Sequence, residues 1–242
     1  MIYTLTYNPS IDYLVTVDNL EIGNLNRMRR ASYMYGGKGV NVSQVLKELG
    51  IDNTALGFVA GFTGREIEEG LQRLGISTDF VHLPEGHSRI NIKFHGIEET
   101  EVNAPGPFVD AVSMRALRDR IRQIGSEDIL ILAGAATANM ENDTFATFIS
   151  ELPYRDTKVI LDTTGEALVN ALCYHPFLIK PNNYESSRTR KFKAQIGRAE
   201  NMAYYAPGDY YLCGNGRILE RVGTSTEHSK DGTTREVARY RC

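Results

Sequence analysis

A layered α/β fold with a mostly parallel sheet is what this sequence predicts, and three observations predict it. Strand-like and helix-like runs alternate through residues 1–185, the rhythm of a parallel sheet whose crossovers are helices. Two extended pairs interrupt the alternation and have the length of a separate small sheet. Aliphatic content then falls: Ile, Leu and Val number 46 in residues 1–185 and 6 in residues 186–242, too few to supply core strands or helix stripes.

Taken in order, Met1–Tyr7 alternates apolar and polar residues and stops at Asn8-Pro9, a turn signal. Asp12–Val17 and Asn26–Tyr35 read as short strands. A helix follows over Val40–Leu49, with Val42, Val45, Leu46 and Leu49 spaced three and four apart and Gly50 as its stop. Thr54–Ala60 is a buried strand, and Arg65–Leu74 is a helix ended by Gly75. Arg89–Phe94 and Glu98–Asn103 join at His95-Gly96 like a hairpin. With the two earlier strands they form a lid from segments near 12–35 and 88–103. After Pro105-Gly106-Pro107 the rhythm resumes with a helix at Ser113–Ile124, strand Asp128–Leu132, helix Asp143–Ser150, strand Lys158–Asp162, helix Glu166–Leu172 and strand Phe177–Lys180. From Ser186 onward no strand of comparable quality is legible. The expected organisation is a domain over 1–185 and an atypical tail over 186–242, disordered or foreign to the rest of the pattern.

Composition narrows the function. No apolar run reaches membrane-spanning length, and the N-terminus carries no leader pattern, so a cytoplasmic protein with no membrane partner is expected. Cys173, Cys213 and Cys242 lack CxxC spacing, and the five histidines lack HExxH, so neither a disulfide framework nor a zinc site is predicted. The net charge of −3 hides an uneven distribution, with 11 Lys and Arg against 6 Asp and Glu in residues 186–242. The arginines there are scattered, and no nucleic-acid partner is expected.

The sharpest motif is Gly36-Gly37-Lys38-Gly39-Val40-Asn41, between an extended segment and a helix. Glycines at a helix N-terminus let backbone N–H groups approach an anion or a hydroxyl-rich ligand, and Lys38 adds charge. The same residues also suit a plain strand-to-helix turn. A P-loop needs Lys-Ser or Lys-Thr, and the dinucleotide fingerprint needs Gly where Val42 stands, so both are excluded.

Around that turn lie Asn8-Pro9-Ser10-Ile11-Asp12, Leu25-Asn26-Arg27, Ser88-Arg89-Ile90-Asn91, Thr100-Glu101-Val102-Asn103-Ala104-Pro105-Gly106-Pro107, Asp162-Thr163-Thr164-Gly165-Glu166-Ala167-Leu168 and Lys180-Pro181-Asn182-Asn183-Tyr184-Glu185. In this order they resemble the phosphofructokinase-B carbohydrate kinases, closest to the 1-phosphofructokinase and tagatose-6-phosphate kinase group. The resemblance implies a ribokinase-like mostly parallel sheet with flanking helices and a small β-sheet lid. It implies ATP-dependent phosphorylation of a hexose phosphate, with fructose 1-phosphate preferred and tagatose 6-phosphate the alternative, and ATP and Mg²⁺ as cofactors. By the same resemblance Asp12, Gly37 and Asn41 would hold the sugar, while Arg27, Lys38 and Arg89 would converge on its phosphate. Lys180 and Asn182 would face the nucleotide phosphates, and Glu185 would hold magnesium through water. A homodimer through the lid is also implied.

Two stretches depart from the family pattern. Leu132-Ala133-Gly134-Ala135-Ala136-Thr137-Ala138 stands where the family has Ala-Gly-Ser followed by Pro. The family's Gly-Ala-Gly-Asp motif, whose Asp is the base, is not recognisable; Ala206-Pro207-Gly208-Asp209 is the nearest match, and Pro207 has no N–H to donate. The fold is therefore expected to be incomplete toward the C-terminus, with Asp209 a weak candidate base and turnover low. A non-catalytic sugar-phosphate-binding protein is the competing expectation.

Overall fold

The computed structural model describes residues 1–95, 100–134 and 140–180, together with the backbone of strands at 203–204, 210–212, 218–228 and 234–241. Its main sheet has seven parallel strands in the order β11-β10-β9-β8-β1-β4-β5. They are β1 (Ile2–Thr6), β4 (Asn53–Ala60), β5 (Ser77–Leu83), β8 (Ile129–Ala133), β9 (Lys158–Asp162), β10 (Leu178–Ile179) and β11 (Ala203–Tyr204). The lid is a four-stranded sheet, β3-β2-β6-β7, made of β2 (Ser10–Thr16), β3 (Arg30–Gly36), β6 (Arg89–His95) and β7 (Thr100–Val102). A third sheet joins β12 (Tyr210–Leu212), β13 (Ile218–His228) and β14 (Thr234–Arg241) in antiparallel order.

Side chains alternate across a strand, and the main sheet accordingly has a core on each face, with β4 and β5 contributing to both. On one face Val40 of α1 (Lys38–Glu48) and Ile67 and Leu71 of α2 (Gly61–Arg73) pack on Ala55, Val59 and Phe80. On the other, α3 (Ala111–Ile121), α4 (Thr144–Ser150) and α5 (Gly165–Ala171) bury Leu117, Phe145, Phe148 and Leu168 against Leu5, Tyr7, Leu56 and Leu132. Tyr7 sits 4.7 Å from Phe145, centroid to centroid, which ties the end of β1 to α4.

The strand order reverses at β1: β4 and β5 lie to one side, and β8 to β11 to the other. In such sheets the crevice outside the carboxyl ends of the strands at the reversal is the favoured ligand position. Both lid segments leave the main sheet near that end, the first after β1 and the second between β5 and α3. The second is anchored firmly. Ser88 N–H donates to the Ala60 carbonyl at 2.9 Å, Ser88 Oγ accepts from Ala60 N–H at 3.0 Å, and Thr63 Oγ1 donates to the Ser88 carbonyl at 2.7 Å.

Several elements differ from the sequence expectation. β5 is absent from it because Ser77, Asp79 and His82 make a broken apolar pattern; the strand is an edge, where polar and charged residues are tolerated. β3 begins at Arg30, not Asn26, since the Asn26 side chain closes a turn by accepting from Glu21 N–H at 2.8 Å and donating to the Glu21 and Asn24 carbonyls. α2 begins at Gly61, four residues early, its first turn hidden by two glycines of poor helix propensity. The joining residues of the expected hairpin after His95 lie outside the described residues. Beyond Ser186, where no strand was legible, the backbone forms β11 to β14.

Candidate active site

The site is built on one face of the lid. Asp12 in β2 pairs in register with Asn91 in β6, and Lys93 in β6 with Glu101 in β7. Residues two apart share a face of a strand, so Ser10, Asp12, Arg89, Asn91, Lys93 and Glu101 all project the same way. The opposite face carries Ile11, Tyr13, Ile90 and Ile92.

Asp12 is buried at 6% exposure, and a buried carboxylate must be paired. Its Oδ1 accepts from Ser10 Oγ at 2.7 Å and from Asn91 Nδ2 at 2.8 Å, and its Oδ2 lies 2.9 Å from Lys93 Nζ. Burial alone would push its pKa up; the hydrogen bonds from Ser10, Lys93 and Asn91, with the Lys93 charge, outweigh that and hold it below the ordinary carboxylate value. The Lys93 ammonium is correspondingly raised, chiefly by its hydrogen bond to Asp12. Gly36 abuts the same carboxylate, and a Cβ there would lie 2.6 Å from both Cγ and Oδ2. Only glycine leaves room for Asp12.

Gly37 follows with φ +114°, where a side chain would be strained, and caps α1. A Cβ there would also come within 2.7 Å of Thr6 Cγ2. Thr6, buried at the end of β1, accepts from Val40 N–H at 2.9 Å and so binds the first turn of α1 to the sheet. The Gly-rich motif is thereby clamped at the reversal point of the sheet.

Arg89 opens β6 half-buried, its Nε donating to the Asn8 carbonyl at 3.2 Å. Burial lowers its pKa, and the nearby Asp12 charge opposes that. Asn8 also donates through Nδ2 to the Pro105 carbonyl at 3.0 Å, joining the Asn8-Pro9 turn to the Pro105-Gly106-Pro107 segment. Two motifs distant in sequence thus form one wall.

The expected residues are brought together in part. Asp12, Gly37 and Arg89 lie in one neighbourhood, linked through Ser10, which pairs with both Gly36 and Arg89. Lys38 takes a different partner: its Nζ is 3.1 Å from Asp162 Oδ1, while Lys180 Nζ is 3.1 Å from Asp162 Oδ2. Asp162 therefore holds two half-exposed ammonium groups at the carboxyl ends of β9 and β10. Asn41 is exposed in the first turn of α1, and Arg27 is exposed in the loop before β3, where no hydrogen bond among the described residues ties it to the others. Asn182, Glu185 and Asp209 lie outside the described residues.

Sequence reasoning assigned no role to Ser10, Asn91, Lys93, Glu101 or Asp162. The signal for two of them was present in the period-two run Arg89-Ile90-Asn91-Ile92-Lys93, whose polar members share the face that receives Asp12.

The pattern of the pfkB family carbohydrate kinases matches residues 5–204. The chain belongs to that family. It is 39% identical over 185 residues to a 1-phosphofructokinase of Bacillus subtilis, covering 76% of this chain and 61% of that protein. It is 41% identical over 185 residues to a D-tagatose-1-phosphate kinase of Bacillus licheniformis, covering 76% of this chain and 60% of that one. The chain thus spans about three fifths of the length of these curated pfkB relatives. The structure of phosphofructokinase-2 from Escherichia coli in complex with fructose-6-phosphate superposes with a TM-score of 0.79 at 21% identity, covering 93% of this chain and 81% of that one, and so shares the fold. Among the described residues no helix is long and apolar enough to cross a membrane, and no group of His, Cys, Asp or Glu forms a metal cluster.

Proposed function

We propose that this pfkB chain binds a ketohexose phosphate between the lid face and the end of β1, as the acceptor for ATP-dependent phosphorylation, with fructose 1-phosphate the preferred sugar. The observation that carries the reading is the Asp12 carboxylate. It is buried, charged and flanked by Arg89, in the crevice where a parallel sheet of this order places its ligand. A carboxylate accepts sugar hydroxyls, and Arg89, with Nε spent on Asn8, has terminal N–H groups that no described residue takes and that suit a phosphate. Three relatives near 40% identity carry 1-phosphorylated sugars in their names, which favours a 1-phosphate; a tagatose-6-phosphate kinase is more distant, at 31% identity.

The nucleotide side rests on Lys180 and on Lys38, which was expected at the sugar phosphate but shares Asp162 with Lys180. Two ammonium groups sharing one carboxylate can turn toward a polyphosphate and leave Asp162 partnered by either, which suits the phosphate chain of ATP. Magnesium would supply charge neutralisation on the transferring phosphoryl group, and Glu185 with Asn182 are the residues proposed to hold it and the phosphates. The chain's own contribution is positioning: the lid fixes the sugar, and the α1 turn sets its distance from the lysines. A homodimer through the lid is supported by exposed Tyr33 and Val102 on its apolar face; sedimentation of a Val102→Lys variant as a monomer would test it.

Calorimetry of the 242-residue chain with fructose 1-phosphate, tagatose 6-phosphate and fructose, beside a coupled assay for ADP release, tests the proposal. Binding of fructose 1-phosphate well above fructose supports it, and no preference between them overturns it. Binding without ADP release would favour the non-catalytic reading.

A further inference from the structure

Before any ligand arrives, the Asp12 carboxylate is nearly saturated. Oδ1 already accepts from Ser10 at 2.7 Å and Asn91 at 2.8 Å, and Oδ2 from Lys93 at 2.9 Å. A carboxylate offers about four acceptor sites, so roughly one remains, on Oδ2. Beside it stands Lys93, whose Nζ is also 3.5 Å from Glu101 Oε1. An ammonium has about three N–H donors, so among the described residues roughly one of these is uncommitted. The Lys93 side chain is 29% exposed, so that donor is reachable. One free acceptor and one free donor on neighbouring atoms are the complement of a hydroxyl group, which donates one hydrogen and accepts another.

We propose that Lys93 is a specificity-determining residue that, with Asp12, reads a single sugar hydroxyl in both directions: Asp12 Oδ2 accepts the hydroxyl proton while Lys93 Nζ donates to the hydroxyl oxygen. This inference rests on the sugar-phosphate reading of the site. It assigns the carboxylate one hydroxyl and makes the lysine, not a second carboxylate contact, the other half of recognition. Glu101, paired in register with Lys93 across β6 and β7, takes a second donor of the ammonium through Oε1 at 3.5 Å, so Lys93 is shared between two carboxylates. A sugar lacking that hydroxyl would forfeit two charge-assisted hydrogen bonds at once and leave Asp12 and Lys93 to each other.

The test is calorimetric titration of the 242-residue chain with fructose 1-phosphate and with each of its singly deoxygenated analogues. One analogue is expected to bind about tenfold or more weaker than the parent, the loss of charge-assisted hydrogen bonds. Lys93→Met should weaken the parent sugar by about tenfold or more and narrow the gap to that analogue, because the variant no longer distinguishes them. An analogue series of uniform affinity overturns the inference. So does a folded Lys93→Met that binds like the unsubstituted chain while Asp12→Asn does not, a result that leaves the site reading standing. Failure of the unsubstituted chain to bind fructose 1-phosphate overturns both. If Lys93→Met does not fold, Lys93→Gln enters the same comparison with the same expected direction.

Discussion

Replacing Gly36 by alanine places one methyl group against the most constrained side chain of the site. The added Cβ would lie 2.6 Å from Asp12 Cγ and Oδ2 and 2.7 Å from Oδ1, where ordinary contact begins at 3.4 Å. The carboxylate must therefore retreat by about 0.8 Å, and it has nowhere to go without stretching its bonds to Ser10, Asn91 and Lys93. Overpacking of this kind costs about 1–3 kcal/mol. Displacing an acceptor the sugar needs should also weaken fructose 1-phosphate by about tenfold or more. Urea denaturation and calorimetry read the two effects separately. The cause is isolated by repeating the denaturation in an Asp12→Ala background: with the carboxylate gone, the alanine at position 36 should cost within about 0.5 kcal/mol of nothing. An equal cost in both backgrounds would refute the reasoning, as would unchanged sugar affinity in a Gly36→Ala protein that has lost stability.

Three further outcomes are expected. Arg89→Ala should weaken fructose 1-phosphate by about ten- to a hundredfold and fructose by far less, since a charge-assisted bond to phosphate is lost; equal losses measured by calorimetry would remove Arg89 from the phosphate. Thr6→Val keeps the volume but strips Val40 N–H of its acceptor at the buried first turn of α1, so urea denaturation should show a loss of about 1–3 kcal/mol. Asp12, depressed in the folded chain, contributes stability that is present above its unfolded value of roughly 3.9 and lost as pH falls through the lower folded value. A carbon-13 titration of its carboxyl should therefore place the midpoint below that of an unfolded aspartate and move it upward in Lys93→Met, and a midpoint insensitive to Lys93 would contradict the pairing.

Much of this protein was legible in sequence, and the reasons are local. Val42, Val45, Leu46 and Leu49 carry a helix period, and runs such as Thr54–Ala60 carry a buried-strand signature, because each needs only its own residues and a water-excluded face. The Gly36-Gly37-Lys38-Gly39 turn was legible for the same kind of reason: Gly37 at φ +114° obeys a backbone constraint that leaves its mark in the residue type. What the sequence did not determine is which polar groups meet. Lys93 and Asp12 are 81 positions apart and share a face only because β2 and β6 pair in parallel register. Lys38 and Lys180 meet on Asp162 because α1 begins where β9 and β10 end, at the carboxyl ends of the strands. β5 escaped notice because an edge strand is free to carry polar residues, and its pairing to β4 is decided by the neighbour. Propensity and periodicity are properties of a segment, whereas a charge partner is a property of the packing, and in this chain the identity of the site came from the first while its electrostatics came from the second.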